Sequence, residues 1–291
     1  SAMSTNSSRP TKADRRESAR AEAIKLREDA KRREKRNRGL AIGGLAAAVV
    51  VLVVAISLIL SSEAKPIAFQ GATPPPLSEV TKPSTANDEG GIPVGTDRVA
   101  GSSAGEDAVV VEVVYDYQCP HCRDFEEVNS FEMDTLLQTG NVQFIYRPVA
   151  FMDYASAGNE YSTRAANAAA VVADMAPDKF LQFHNALYAN QPQGNGMKDE
   201  KMQEIALEVG VPQEVADHFT DLAPDSNERV YSRWIAAATA YASEQLGGLS
   251  TPTVLINGEK FPGPGDDPTA HMQVGGLSAK VLAVKAELGL D

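Results

Sequence analysis

The constraint that most limits how this chain can fold is a single tetrapeptide, Cys119-Pro120-His121-Cys122, set between an apolar run and a helix-forming run. Residues 109–114 (VVVEVV) are β-branched and almost wholly apolar, the composition of a strand buried on both faces. Residues 123–128 (RDFEEV) favour a helix. The pattern predicts a strand that ends at the motif and a helix that begins on it, so that Cys119 sits at a helix N-terminus among unpaired N–H groups and the positive end of the dipole. Pro120 suits the first helical position, where its fixed φ fits and its missing N–H is not needed. Cys122 then lies about one turn in, close enough to close a disulfide and better shielded from water. His121 adds a positive charge or a donor beside the sulfur.

These are the chain's only two cysteines. A zinc site needs four ligands, whereas there is no second cysteine pair and His184, His218 and His271 are scattered. A structural disulfide closing so small a ring gains little chain entropy. The pair therefore reads as a redox dithiol, with Cys119 forming a mixed disulfide and Cys122 resolving it. The electrons stay on sulfur, so neither a metal nor an organic cofactor is expected.

Residues 39–60 (GLAIGGLAAAVVVLVVAISLIL) carry no charge over 22 positions. At about 1.5 Å per residue this run crosses a ~30 Å hydrocarbon core as one helix. A cleaved signal peptide has a shorter apolar region, a short basic region and a small-residue cleavage site, so a retained single transmembrane helix is expected. Residues 1–38 hold 13 Lys/Arg against 6 Asp/Glu, and the rest of the chain 14 against 33. The positive-inside rule then keeps a basic tail, 1–38, in the cytoplasm and exports the remainder. Ser1-Ala2 ahead of Met3 read as a cloning remnant. An acidic exported domain argues against nucleic acid as a partner.

Residues 61–105 are rich in Pro, Ser, Thr, Gly and Ala and read as a flexible extracytoplasmic linker, with a short edge strand near 91–94. The folded domain is expected over 106–291. A strand over 108–117, a helix over 120–138 and a strand over 141–149 come first. Helical stretches follow at 162–175, 177–190, 198–210, 212–220 and 226–246. A strand at 253–257, a turn at Gly258, a possible hairpin partner from Lys260 and a helix over 277–288 complete the domain. That order is an α/β thioredoxin fold with a helical domain inserted at about 157–246.

The chain resembles the DsbA-like thiol–disulfide oxidoreductases, especially the membrane-anchored extracytoplasmic forms of Gram-positive actinobacteria. The likeness is carried by 111–117 leading into Gln118-Cys119-Pro120-His121-Cys122, by Phe125-Glu126-Glu127-Val128, by 179–188 (KFLQFHNALY) and by Ser250-Thr251-Pro252-Thr253-Val254, over roughly 90–288. It implies that Thr251-Pro252 is a cis-proline loop beside the dithiol that binds the substrate backbone. It further implies a protein that introduces disulfide bonds into reduced exported proteins and is re-oxidised by a quinone-coupled membrane protein of the VKOR or DsbB type; no dimerisation module is visible in the sequence, so a monomer is expected. A reductase or isomerase on the same fold, or a chaperone-like binding module with an incidental dithiol, are the alternatives. Many relatives carry a buried acid six residues before the first cysteine, and here that position is Val113. Glu112 and Asp116 stand nearby on other strand phases, and parity makes Glu112 a plain strand residue. His184 and Trp234 read as packed helix residues, and 262–267 as a flexible loop.

Overall fold

The computed structural model describes residues 12–61 and 67–290. The chain divides into two units, residues 1–64 and 65–291. The first contains one helix, α1 (Lys12–Ser61), 50 residues long. The expected span at 39–60 lies within α1, though several of its side chains fall outside the described residues. Among the described residues, no helix is long and apolar enough to cross a membrane.

The second unit is built on a five-stranded sheet, β1 (Ile92–Val94), β2 (Val109–Tyr115), β3 (Val142–Pro148), β4 (Thr253–Ile256) and β5 (Glu259–Phe261), in the order β1-β3-β2-β4-β5. β2 runs parallel to β3, with Val109 opposite Val142 and Tyr115 opposite Pro148. The connection between them is helix α2 (Pro120–Gln138), the crossover that a parallel pair needs. β4 is antiparallel to β2, and β1 closes the other edge antiparallel to β3. Pro93 thus lies on an edge strand, where a missing N–H disturbs no interior ladder.

Between β3 and β4 the chain makes α3 (Tyr161–Met175), α4 (Phe180–Ala189), α5 (Asp199–Glu208), α6 (Gln213–Asp217) and α7 (Ser232–Leu246), and it ends on α8 (Gly276–Glu287). The expected long stretches are divided. Residues 177–179 form a 3-10 turn before α4. The start of the last inserted helix moves to Ser232, because a bridge between Leu222 and Arg229 occupies the preceding chain. Central β2 is covered on both faces. Val111, Val113 and Tyr115 enter the main core with α2, α3 and α4, while Val114 meets Ala242 of α7 and Leu255.

The linker expected over 61–105 is corrected from residue 67 onward. The N–H groups of Ile67 and Ala68 donate to Glu160 Oε2 at 2.7 and 3.0 Å, and Arg229 N–H donates to the Ile67 carbonyl at 2.9 Å. Ser84 N–H is held by Asp174 Oδ1 at 2.7 Å, and Ile92 and Val94 are fully buried. This strap shows little periodicity because the domain's side chains, rather than a ladder of its own, satisfy much of its backbone.

Candidate active site

β2 ends at Tyr115, two residues earlier than expected, because Asp116 starts a turn. Its carbonyl accepts the Cys119 N–H at 3.0 Å and its Oδ1 accepts the Gln118 N–H at 2.8 Å. The turn delivers Cys119 to the N-cap of α2, at φ −72° and ψ 119°, with Pro120 at the first helical position. Both cysteines are free thiols. Their side chains are buried, Cys119 at 4% and Cys122 at 1% exposure.

The two thiols are driven apart in acidity. Cys119 falls from 9.0 to about 5: the Cys122 thiol donates to it, and the Thr251 hydroxyl and the N–H groups of Cys122 and His121 add to the effect, against the opposing cost of burial. Cys122 is pushed well up, mainly by burial and then by its neighbour's sulfur. One sulfur is thereby a ready thiolate at neutral pH and the other a protonated reserve.

Thr251-Pro252 is a cis peptide and lies against the dithiol, with Cys119 Sγ 3.4 Å from the Thr251 carbonyl. The Thr251 hydroxyl is buried without a hydrogen-bond partner, so it is free to donate to a thiolate. The structure thus brings Cys119, Cys122, Thr251 and Pro252 together. His121 and Pro120 are exposed. What residue 121 supplies to the sulfur is its backbone N–H, and no hydrogen bond from its ring to either cysteine is found among the described residues.

Further residues support the site: the sequence names Gln118 and Asp116 without giving them a role and does not point to Gln191. Gln191, just after α4, donates from Nε2 to the carbonyls of Tyr117 and Cys119 at 2.8 and 2.9 Å, and Gln118 Nε2 donates to the Gly194 carbonyl. These bonds tie the inserted helices to the motif. Asp116 is fully buried, with its carboxylate accepting from Gln118 N–H, Ser162 Oγ–H and Met152 N–H. Burial still outweighs those donors and raises it from 3.8 to about 7.

His184 is packed, as expected, but it is also bonded at both ring nitrogens. Nδ1 lies 2.9 Å from the Tyr117 hydroxyl and Nε2 lies 3.0 Å from Glu126 Oε1, all three side chains being buried. Val113 is buried and apolar. Glu112 is bound to Arg147 Nε at 2.6 Å, which accounts for it as a structural ion pair. Among the described residues there is no cluster of three or more His, Cys, Asp or Glu side chains that could hold a metal.

The fold and the asymmetric dithiol at a helix N-terminus, beside a cis-proline, define a protein of the thioredoxin class built for thiol–disulfide exchange. The family model described as thioredoxin matches residues 94–274, and the chain belongs to that family. Among solved structures it is similar to MdbA, a thiol–disulfide oxidoreductase from Actinomyces oris, at 26% identity and a TM-score of 0.55, over 72% of this chain and 99% of that one. It is similar to oxidized DsbA of Mycobacterium tuberculosis at 28% identity and a TM-score of 0.50, over 68% of this chain and 93% of that one. The fold is shared with MdbA from Corynebacterium matruchotii at 20% identity and a TM-score of 0.50, over 64% of this chain and 89% of that one. No curated protein sequence matches the chain at comparable significance.

Proposed function

We propose that this protein is a membrane-anchored, extracytoplasmic thiol–disulfide oxidoreductase that donates its disulfide to reduced exported proteins. The observation that carries the reading is the acidity of Cys119, held near 5 while Cys122 is pushed up. A stabilised thiolate stabilises the reduced form, which makes the disulfide form the stronger oxidant. The named activity of the Actinomyces oris relative supports the same chemistry.

In the cycle, a substrate thiolate attacks Cys119 Sγ of the enzyme disulfide. The bond to Cys122 breaks, and the Cys122 sulfur leaves with the electron pair. A second substrate thiolate then attacks the substrate sulfur of the mixed disulfide, so the substrate disulfide forms and Cys119 leaves as its stable thiolate. The enzyme has gained two electrons, which pass to a quinone-coupled membrane protein of the VKOR or DsbB type. The Thr251-Pro252 loop holds the substrate backbone beside Cys119.

The membrane anchor is residues 39–60, with the N-terminus in the cytoplasm. The exposure of Leu40, Ile42, Leu45, Val49, Val51 and Leu52 on α1 supports it, because so long an apolar surface needs a cover. The domain works as a monomer.

Equilibration with glutathione tests the direction. The expected potential lies well above that of thioredoxin, about −270 mV; a value at or below it makes the protein a reductase. Refolding of reduced ribonuclease by catalytic amounts of the protein is expected to stop in Cys119→Ala. Full activity of that variant would make the dithiol incidental to a binding module.

A further inference from the structure

Whichever way electrons flow, Cys122 gains a proton when the disulfide opens and loses one when it closes, yet its side chain is shut away from water. A buried thiolate is costly, so a partner must handle that proton. Val113, on β2 ahead of the motif, is apolar and buried and supplies no acid.

Glu126 lies four residues after Cys122 on α2, hence on the same helix face, about 6 Å away between Cβ atoms. Among the described residues, the one hydrogen bond found to its carboxyl is at Oε1. The His184 ring is fixed at both nitrogens, with Nδ1 2.9 Å from the Tyr117 hydroxyl and Nε2 3.0 Å from Glu126 Oε1, so it orients the carboxyl. Among the described residues no hydrogen bond to Oε2 is found, so that oxygen is open to a proton-transfer partner. Glu126 also lines a cleft of about 460 Å³ between α2 and α4, with Arg123, Ser130, Asn185 and Tyr188. Tyr188, between cleft and dithiol, feels the charge of both Cys122 and Glu126.

Asp116 is the other buried acid beside the motif, but its carboxylate oxygens face the Gln118 and Met152 N–H groups and the Ser162 hydroxyl, and no hydrogen bond from its carboxyl to either cysteine is found among the described residues. The remaining titratable groups facing the pair are Tyr115 and Tyr117 at the end of β2, Tyr146 on β3, and Tyr188 on α4. Burial raises all four phenols, so none is a base at neutral pH. Arg123 and Glu127 stand at the mouth of the cleft.

We propose that Glu126, positioned by His184, is the proton-handling residue of Cys122. It supplies a proton to the Cys122 sulfur when the disulfide opens, takes it back when the disulfide closes, and exchanges it with solvent through the α2–α4 cleft. This rests on the dithiol–disulfide cycle proposed above but not on its direction.

The test follows oxidation of the reduced full chain by glutathione disulfide, which has two separable steps. Cys119 thiolate first attacks and releases one glutathione. Cys122 then loses its proton and attacks Cys119 Sγ, forming the intramolecular disulfide and expelling the second glutathione as thiolate. In Glu126→Gln, the expected result is an unchanged first step and a second step slowed about 100-fold at neutral pH, with the loss shrinking as pH rises and Cys122 ionises unaided. In Glu126→Ala, formate or acetate diffusing into the cleft is expected to restore the second step. A second step at the normal rate in Glu126→Gln overturns the proposal; so does equal slowing of both steps, or loss in Glu126→Ala that no small carboxylate relieves. Because glutathione exchange proceeds in oxidases and reductases alike, a failure here is distinct from a failure of the oxidase assignment.

Discussion

The Cys119 sulfur lies 3.4 Å from the Thr251 carbonyl oxygen, and the Thr251 hydroxyl acts on the same sulfur while having no other partner. As a thiol, Cys119 donates to the carbonyl; as a thiolate, it accepts from the hydroxyl. Thr251 therefore serves both protonation states from one residue. A hydrogen bond to a charged group is worth about 1.5–3 kcal/mol, which corresponds to about one to two pH units. Thr251→Val keeps the shape and removes the donor. Its Cys119 is expected to titrate at least about one unit higher, followed by thiolate ultraviolet absorbance; an unmoved midpoint would remove the hydroxyl from the account.

The acidity of Cys119 also fixes how the reduced protein responds to pH. Its folded value, about 5, lies below its ordinary value of 9.0. The stabilisation it contributes is complete above the unfolded value and is lost as pH falls through about 5. The oxidised protein has no such group. The melting temperature of the reduced form, measured against that of the oxidised form, is thus expected to climb between pH 5 and 9. A constant difference over that range would contradict a thiolate stabilised in the fold.

His121 contributes through its backbone. Its ring is exposed, and an exposed charge near a site is worth little once water and salt screen it. His121→Ala preserves the N–H and is expected to leave the Cys119 titration within about half a unit. A larger rise would show that the imidazole itself supports the thiolate.

Local sequence carried the motif well. The β-branched run of β2 and Pro120 at the first turn of α2 express themselves within a few residues, whereas Thr251-Pro252 is marked by the family resemblance, and the structure brings them together. The supporting residues did not show, because their partners are remote. Glu126 and His184 are separated by 58 positions, Gln191 and Tyr117 by 74, and Ile67 and Glu160 by 93. Strand parity puts Asp116 out of phase with Val113, but the strand ends at Tyr115, so parity does not apply to it. The composition of 61–105 predicts a flexible linker, because composition reports on regular structure and not on whether another segment satisfies the backbone, as happens from residue 67 onward.

Asp116 makes the site's surroundings pH-sensitive in the opposite sense to Cys119. Its folded value, about 7, lies above its ordinary 3.8 because burial disfavours the anion. The neutral form favours the folded state, so this contribution is full below about pH 4 and is lost as pH rises through 7. Asp116→Asn removes the titration and keeps the shape. Urea denaturation of the oxidised variant is expected to show a weaker fall in stability from pH 4 to 7 than the parent. An identical slope in both proteins would mean that Asp116 does not titrate there.

Glu160 anchors residues 67 and 68 to the inserted helices. Its backbone is left-handed at φ 52°, and its carboxylate receives the N–H groups of Ile67 and Ala68. Two charge-assisted bonds at a part-exposed site are worth about 1–3 kcal/mol together. Glu160→Ala is therefore expected to lower stability by that amount and to speed amide hydrogen exchange at residues 67–70. Its Cys119 titration should not move, since among the described residues no hydrogen bond links residues 67–70 to the dithiol. Removing residues 67–105 altogether is the harsher case. It strips β1 from the edge of β3 and deletes Ile92 and Val94, both at 0% exposure. Each such side chain contributes about 1.5–3 kcal/mol by burial, so a fragment starting at Glu106 is expected to melt far below the parent or not to fold. A fragment with the parent's melting temperature would return residues 67–105 to the role of a tether.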